Sequence, residues 1–505
     1  MVADTKPALQ VIVLGSGGGP QESNTTAFLV RSVGAKWHRG SIIAVDAGVH
    51  LSAITRIMEE SIPSPPPPPP FTLTTGPFAG LELPYSSASA NAAFVTRHLV
   101  DTYLITHPHL DHISGFVVNT AGFPGTRPKK LAALPGTIQA FKKHIFNNVI
   151  WPNLSDENNG AGLVTYMRLV EGGSPSLGDG ETRGYIEVAD GLLVKTWSVS
   201  HGHCLEKHDH RGSTSSASTR FGSHDASMPM SMAQGPPARS NSYYPGAMHR
   251  GSVLLSQGFG SISMGAPPEQ ERMCVVDSSA YFIQDPITNR EVLIFGDVEP
   301  DSLSLSPRNS QIWQEAAPKI ASGNLKAIFI ECSHDDSEIN DRLYGHLKPQ
   351  FVIEELRALA SQVEHFRTLR YNESKKRKRM GSNADEAPRR NPSLANFTTE
   401  DPVSPKTLKA STPDYMPPGP DTPPTPHLAT PTAELTLNQS DSITSVPVTR
   451  KPLEGLQVVI IHVKDHLTDG PDRGEVILEQ LQDYESEVQL GCEFVISKPG
   501  KSFYL

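Results

Sequence analysis

The stretch "DTYLITHPHLDHISGFVVNT", Asp101 to Thr120, constrains this chain more than any other. Three histidines and an aspartate, His107, His109, Asp111 and His112, stand within six residues, with an apolar segment on each side. "TYLIT" is apolar and β-branched and reads as a strand that delivers His107 at its end, while "ISGFVVN" reads as the start of a helix. A rigid strand end fixes the direction of a metal ligand. At the spacing His-x-His-x-Asp-His, His107 and His109 suit one metal ion, and Asp111 and His112 reach a second. An isolated histidine is usually an ordinary polar residue, but four such side chains on one turn call for a metal centre.

Two zinc ions need about four or five ligands each, with a position left open for water, so one turn does not suffice. Three later strand ends offer the rest. "VKTWSVS" runs into His201, "EVLIFG" into Asp297, and "LQVVIIHV" carries His462. Asp297 has two oxygens and suits a bridging position. His201 completes the first site and His462 the second. His203 competes with His201, which is preferred because it comes first after the strand.

The rest of the chain divides by composition. Residues 8–204 hold the first part of an α/β domain: strands "LQVIVLG", "TAFLVRS" and "SIIAVDAG", helix "HLSAITRIMEE", the histidine-rich turn, helix-like "GTIQAFKKHIFNNVIWP" and strand "LLVKTWSVS". Residues 61–93 read as a proline-rich insertion, since "PPPPPP" joins neither a helix nor a central strand. Residues 205–270, rich in Ser, Gly, Met and His, read as a flexible insertion. Residues 271–371 continue the domain with strands "EVLIFGD" and "LKAIFIEC" and two helices. Residues 372–450 read as a disordered linker, basic at first and then rich in Pro, Ser and Thr. Residues 451–505 are too few to bury a core alone and so are expected to close the same domain. Long surface insertions are tolerated because loop-closure cost grows slowly with length.

Overall composition narrows the function. The net charge is −10, from 44 Lys and Arg against 54 Asp and Glu. There is thus no general attraction for nucleic acid or anionic membranes. No apolar run is long enough to span a membrane, and "LQVIVLG" is too short for a signal peptide and reads as a strand. The four cysteines, Cys204, Cys274, Cys332 and Cys492, form no CxxC pair. That argues against a cysteine zinc site or disulfide scaffold and for a reducing, cytoplasmic location.

The metal motif, the later His, Asp and His at strand ends, and the opening strand–loop–strand pattern resemble the metallo-β-lactamase superfamily. Within it, "HPHLDHISGFVVNTA", "VLGSGGGPQESNTTAFLV", "VDAG", "IFGDVEPD" and "ECSHDDSEINDRLYGHLKP" resemble the class II 3′,5′-cyclic-nucleotide phosphodiesterases, the low-affinity cyclic AMP enzymes of fungi. The resemblance covers all four folded segments and neither long insertion. It implies an α/β fold of the metallo-β-lactamase αββα type: two mixed sheets face to face, flanked by helices, with metals at one edge and disordered insertions. It implies two divalent ions, zinc by preference. The first is held by His107, His109, His201 and Asp297, and the second by Asp111, His112, Asp297 and His462. The activity implied is hydrolysis of cyclic AMP, and of cyclic GMP, to the 5′-monophosphate by a metal-activated hydroxide, which ends cyclic-nucleotide signalling. Asp111 then counts as catalytic as well as a ligand.

Further residues follow. Asp46 in "AVDAG" reads either as a turn aspartate or, by the resemblance, as a carboxylate that hydrogen-bonds a metal-binding histidine and fixes its tautomer. Glu331 ends "KAIFIE" and His346 lies in "YGHL". A histidine oriented by a carboxylate can protonate a leaving alkoxide, and related nucleic-acid phosphodiesterases of the superfamily use a Glu and a Gly-His pair in similar contexts. A structural ion pair is the plainer reading, and His334 is a rival histidine. "GSGGGP" departs from a dinucleotide fingerprint because Pro20 stands at the third glycine position and no long helix follows. It reads as a tight loop near the metal edge.

"KKRKR", Lys375–Arg379, reads as a solvated run or as a nuclear-import signal, with Ser-Pro and Thr-Pro sites for kinases beyond it. The expected partner is a small cyclic nucleotide, not nucleic acid or membrane, and a homodimer remains open. Rival readings are a tRNA 3′-processing phosphodiesterase, a sulfatase, or a regulatory scaffold with an inert metal site.

Overall fold

The structure, a computed structural model, describes residues 6–122, 127–206, 272–381 and 450–505. In chain order the elements begin with β1 (Leu9–Gly15), β2 (Ala27–Ser32), β3 (Ile42–Ala47), α1 (Leu51–Ser61), the two-residue strands β4 (Phe71–Thr72) and β5 (Glu82–Leu83), and α2 (Ala88–Phe94). Next come β6 (Val100–Leu104), α3 (Leu110–Thr120), β7 (Lys129–Ala133), α4 (Pro135–Ala140), β8 (Val164–Arg168), β9 (Ile186–Ala189) and β10 (Leu192–Glu206). The chain continues through β11 (Arg272–Gln284), β12 (Glu291–Phe295), α5 (Asn309–Ser322), β13 (Leu325–Glu331) and α6 (Pro349–Gly381). It ends with β14 (Gln457–Ile461), α7 (Arg473–Val488), β15 (Glu493–Ile496) and β16 (Ser502–Tyr504).

Strand alternation builds the layers. In β1, Leu9, Val11 and Val13 face one apolar cluster while Ile12 and Leu14 face another. In β13, Ala327 and Phe329 share the cluster of Leu9, whereas Ile328 and Ile330 turn to a third. A strand with both faces apolar belongs between two layers. One seven-stranded mixed sheet has the order β16-β1-β2-β3-β6-β7-β8, and the other β15-β14-β13-β12-β11-β10-β9. The cluster between the sheets draws on both of them. The second cluster joins the first sheet to α1, α2, α3 and α4, and the third joins the other sheet to α5, α6 and α7. The result is the four-layer αββα sandwich that the sequence predicts.

The last residues of the chain serve both sheets. β14 and β15 add in parallel to β13, and β16 pairs antiparallel with β1, Gln10 opposite Tyr504. Met1–Arg367 and Lys451–Leu505 make one compact unit. The other, Thr368–Arg450, consists among the described residues of the last turns of α6 and Arg450.

Some expectations change. The segment 61–93 is an insertion by composition but part of the core in fact. Its prolines are largely exposed, yet Leu73, Phe78, Leu81, Leu83 and Ala92 are buried against the α1 layer. Gln10 Nε2 donates to Pro77 O at 2.8 Å and pins it to β1. The expected linker from residue 372 begins as helix, because α6 continues to Gly381 and carries the backbone of Lys375–Arg379. "ESKKRKRM" has good helix formers and no Pro or Gly, so nothing stops propagation. The helix expected over 136–152 ends early: α4 stops at Ala140 and passes through one π-turn, Phe141–Ile145. Most of the flexible insertion and of the Pro/Ser/Thr-rich linker lies outside the described residues. No helix among the described residues is long and apolar enough to cross a membrane.

Candidate metal centre

The carboxyl ends of β6, β12, β13 and β14 open on one edge of the sandwich, the usual place for a site in a parallel sheet. From β6 the chain runs through buried Thr106 and His107 to His109, the extended residue that caps α3. Asp111 and His112 lie in the first turn of α3, where an acidic group is favoured by the helix dipole. Asp297 follows β12, and His462 follows β14 directly. His201 is not beyond a strand end as expected. It lies inside β10, at the register shift between Ser200 and His203, and such a bulge re-aims a side chain. His203 is exposed.

These seven residues come together in two groups that share Asp297. His107, His109, His201 and Asp297 form one, and Asp111, His112, Asp297 and His462 the other. Within each group one donor atom per residue lies within 4.8 Å of all the others. Asp297 Oδ2 is 3.5 Å from both His107 Nε2 and His201 Nε2. Its Oδ1 is 3.1 Å from His112 Nε2 and 3.3 Å from His462 Nε2. His462 Nε2 is also 3.2 Å from Asp111 Oδ2 and 3.2 Å from His112 Nε2.

Converging ring nitrogens and carboxylate oxygens, with His107 Nε2 buried and without a hydrogen-bond partner, fit a bound cation. Burial pushes His107 well below the usual histidine range and lowers His109, and it brings His201 to about 4, so these three are neutral and able to ligate. Burial also opposes charge on His112, but Asp297 and Asp46 outweigh it and raise its pKa well above normal. Burial acts against the Asp297 carboxylate too, yet His112, His462 and His107 hold it well below the ordinary range. Asp111 is likewise lowered against its burial, chiefly by its hydrogen bond with His462.

A ring of supporting bonds holds the donors. Asp46, within β3, accepts from Thr106 N at 2.8 Å and Thr106 Oγ1 at 2.8 Å and bonds His112 Nδ1 at 2.8 Å. Asp46 at φ 54° and His462 at φ 57° both occupy the left-handed region, strain that surrounding contacts sustain. His201 Nδ1 bonds Gly345 O at 2.9 Å. Gly345, at φ 81°, packs so closely on β10 that a Cβ there would lie 2.5 Å from Gly202 N. Only glycine lets "YGHL" press His346 against His201, ring centroids 4.7 Å apart.

Glu331 is the hub of the remaining contacts. It accepts from Val298 N at 2.8 Å and from Ser333 Oγ at 2.6 Å, and bonds His346 Nδ1 at 2.9 Å. Burial opposes its charge, but His346 keeps its pKa below the usual value. Ser333 Oγ also bonds His462 Nδ1 at 2.9 Å, and His346 Nε2 lies 2.9 Å from Lys464 Nζ. His334 stands farther off, 6.1 Å between ring centroids from His346. Neither Ser333 nor Lys464 stands out in the sequence, although each lies two residues beyond a singled-out position, Glu331 and His462. Beside the cluster opens a cavity of about 590 Å³ lined by His109, His201, His346, Leu303, Asn340 and Tyr344 among others.

Comparison with known proteins adds to this geometry. Residues 8–216, 252–370 and 432–500 match the family described as cAMP phosphodiesterases class-II. A 3′,5′-cyclic-nucleotide phosphodiesterase of Schizosaccharomyces pombe is 28% identical over 353 residues, 70% of this chain and 75% of that protein. One from Candida albicans is 26% identical over 396 residues, 72% of this chain and 84% of that protein. The crystal structure of unliganded yeast PDE1 superposes with a TM-score of 0.54 at 18% identity, covering 99% of this chain and 100% of that one. At that identity the likeness concerns the fold.

Proposed function

This chain belongs to the class-II cAMP phosphodiesterases, and on that premise we propose that it opens the 3′ ester of cyclic AMP, and of cyclic GMP, to give the 5′-monophosphate. The observation that carries the reading is the pair of four-donor groups joined through Asp297, with the Glu331–His346 pair against them. His107, His109, His201 and Asp297 would hold one divalent ion, and Asp111, His112, Asp297 and His462 the other. Zinc suits this imidazole and carboxylate set. When bound, the ions supply Lewis acidity, bringing the pKa of water to roughly 7 and offsetting phosphoryl charge.

The chain's own groups do the rest. Asp46 fixes the tautomer of His112 by holding its Nδ1. Glu331 holds the Nδ1 side of His346, which leaves Nε2 as the atom that gives a proton to the departing O3′. The adjoining cavity of about 590 Å³ is within the usual range for a small ligand.

The test is hydrolysis of cyclic AMP, cyclic GMP and a 2′,3′-cyclic nucleotide by purified protein, with and without chelator. Chelator-sensitive opening of the two 3′,5′ substrates is expected. Turnover of the 2′,3′ compound alone, or turnover indifferent to chelator, would refute the reading.

A further inference from the structure

Lys464 brings a cation against the His346 ring. Its backbone is clamped on two sides. Lys464 N donates to Ser333 O at 3.1 Å, and the flanking residues bind the glycine loop, Gly18 N to Val463 O at 3.1 Å and Asp465 N to Gly19 O at 3.1 Å. The side chain therefore starts from a fixed point, and its Nζ lies 2.9 Å from His346 Nε2. His346 in turn sits between a residue of each donor group, 4.7 Å from His201 and 5.1 Å from His462 by ring centroids. Among the described residues no ion pair joins Nζ to a carboxylate, and the adjoining cavity, which His346 lines and Lys464 does not, has no lysine or arginine in its lining. An ammonium held against a ring nitrogen at a metal centre, with no carboxylate partner, is placed for an anion that arrives from outside.

We infer that Lys464 is a substrate-binding residue. Its Nζ, which donates to His346 Nε2 in this structure, turns to donate to a non-bridging oxygen of the cyclic phosphate, and the ring nitrogen so freed takes up a proton from solvent and passes it to O3′. Lys464 itself transfers no proton and forms no covalent bond. The inference rests on the phosphodiesterase reading for its substrate but not for the anion it binds. The glycine loop, otherwise idle in the chemistry, acts as the clamp that aims this side chain.

The test compares full-length wild type with Lys464→Met and Lys464→Arg, using inorganic phosphate as the probe. Metal content per chain should be the same in all three, because Lys464 ligates nothing. In Lys464→Met the inhibition constant for inorganic phosphate should rise about 10- to 100-fold, the reach of one charge-assisted hydrogen bond, and kcat/KM should fall at least as far. Lys464→Arg should recover most of both. Phosphate inhibition within about twofold of wild type in Lys464→Met overturns the inference. So does an arginine variant no better than methionine, or a loss of metal or of folded protein in both variants, which would make the role structural. If the wild type opens no cyclic nucleotide, the proposed function fails alone, and calorimetric phosphate binding to the three metal-loaded proteins still decides the role of Lys464.

Discussion

Gly18→Ala should switch off half of the metal centre without touching a ligand. A Cβ on Gly18 would lie 2.4 Å from His462 Cε1 and 2.5 Å from its Nδ1. Ordinary carbon contacts are about 3.5–4.0 Å, so the ring must retreat by roughly 1 Å. It has little room to do so, since it is stacked between His112 and His346, each 5.1 Å away by ring centroids, and bonded to Ser333 at 2.9 Å. Alanine is otherwise acceptable at this position, because Gly18 has no positive φ. A displacement of about 1 Å at a reacting centre costs on the order of 10²-fold in rate. The variant should therefore fold, keep the ion of the His107, His109 and His201 group, hold the other weakly, and lose about 100-fold in kcat/KM. Metal per chain after dialysis, turnover and a thermal melt together measure this. Gly136→Ala, with nothing within 4 Å of the added atom, should match wild type. A fully metallated, fully active Gly18→Ala protein would refute the placement of His462 as a ligand.

Asp297→Ala should lose both ions and all activity, since its oxygens approach His107, His201, His112 and His462 at 3.1–3.5 Å; normal turnover with two metals still bound would contradict the ligand assignment. His346→Ala should keep both ions yet lose about 10²–10⁴-fold on cyclic AMP, and much less on bis(p-nitrophenyl) phosphate, whose leaving group needs no proton; equal losses on both substrates would exclude the acid role. His50 is pushed down to about 3 by burial and by Lys129, below the roughly 6.5 of an unfolded chain. The unfolded state then binds the extra proton as pH falls from about 6.5 towards 3, so stability should drop across that window. The denaturant midpoint should decline less in His50→Gln, and an identical decline in both proteins would rule out His50 as the cause.

Local pattern was enough for much of this molecule. The apolar runs "LQVIVLG", "LKAIFIE" and "LQVVII" mark strands buried on both faces, which need a layer on each side, whereas the stacking of two mixed sheets is what the family resemblance implies. The turn from His107 to His112 is legible because its ligands are neighbours in sequence, held by a strand end and a helix start. His201, Asp297 and His462 are legible only singly, each from its place after an apolar run.

What brings Asp297 and His462 to one edge is the pairing of β12, β13 and β14 in parallel, and β14 joins β13 from more than a hundred residues away, Gln457 opposite Ala327. Packing alone decided that 61–93 joins the core, because Phe78 and Leu83 gain burial only once α1 is in place. It also decided that His201 occupies a bulge rather than a strand end. The contact between Gly18 and His462 and the bond between Lys464 and His346 belong to the same class. Each joins residues with no periodic relation, and a close approach of that kind leaves no trace in a pattern read along one segment.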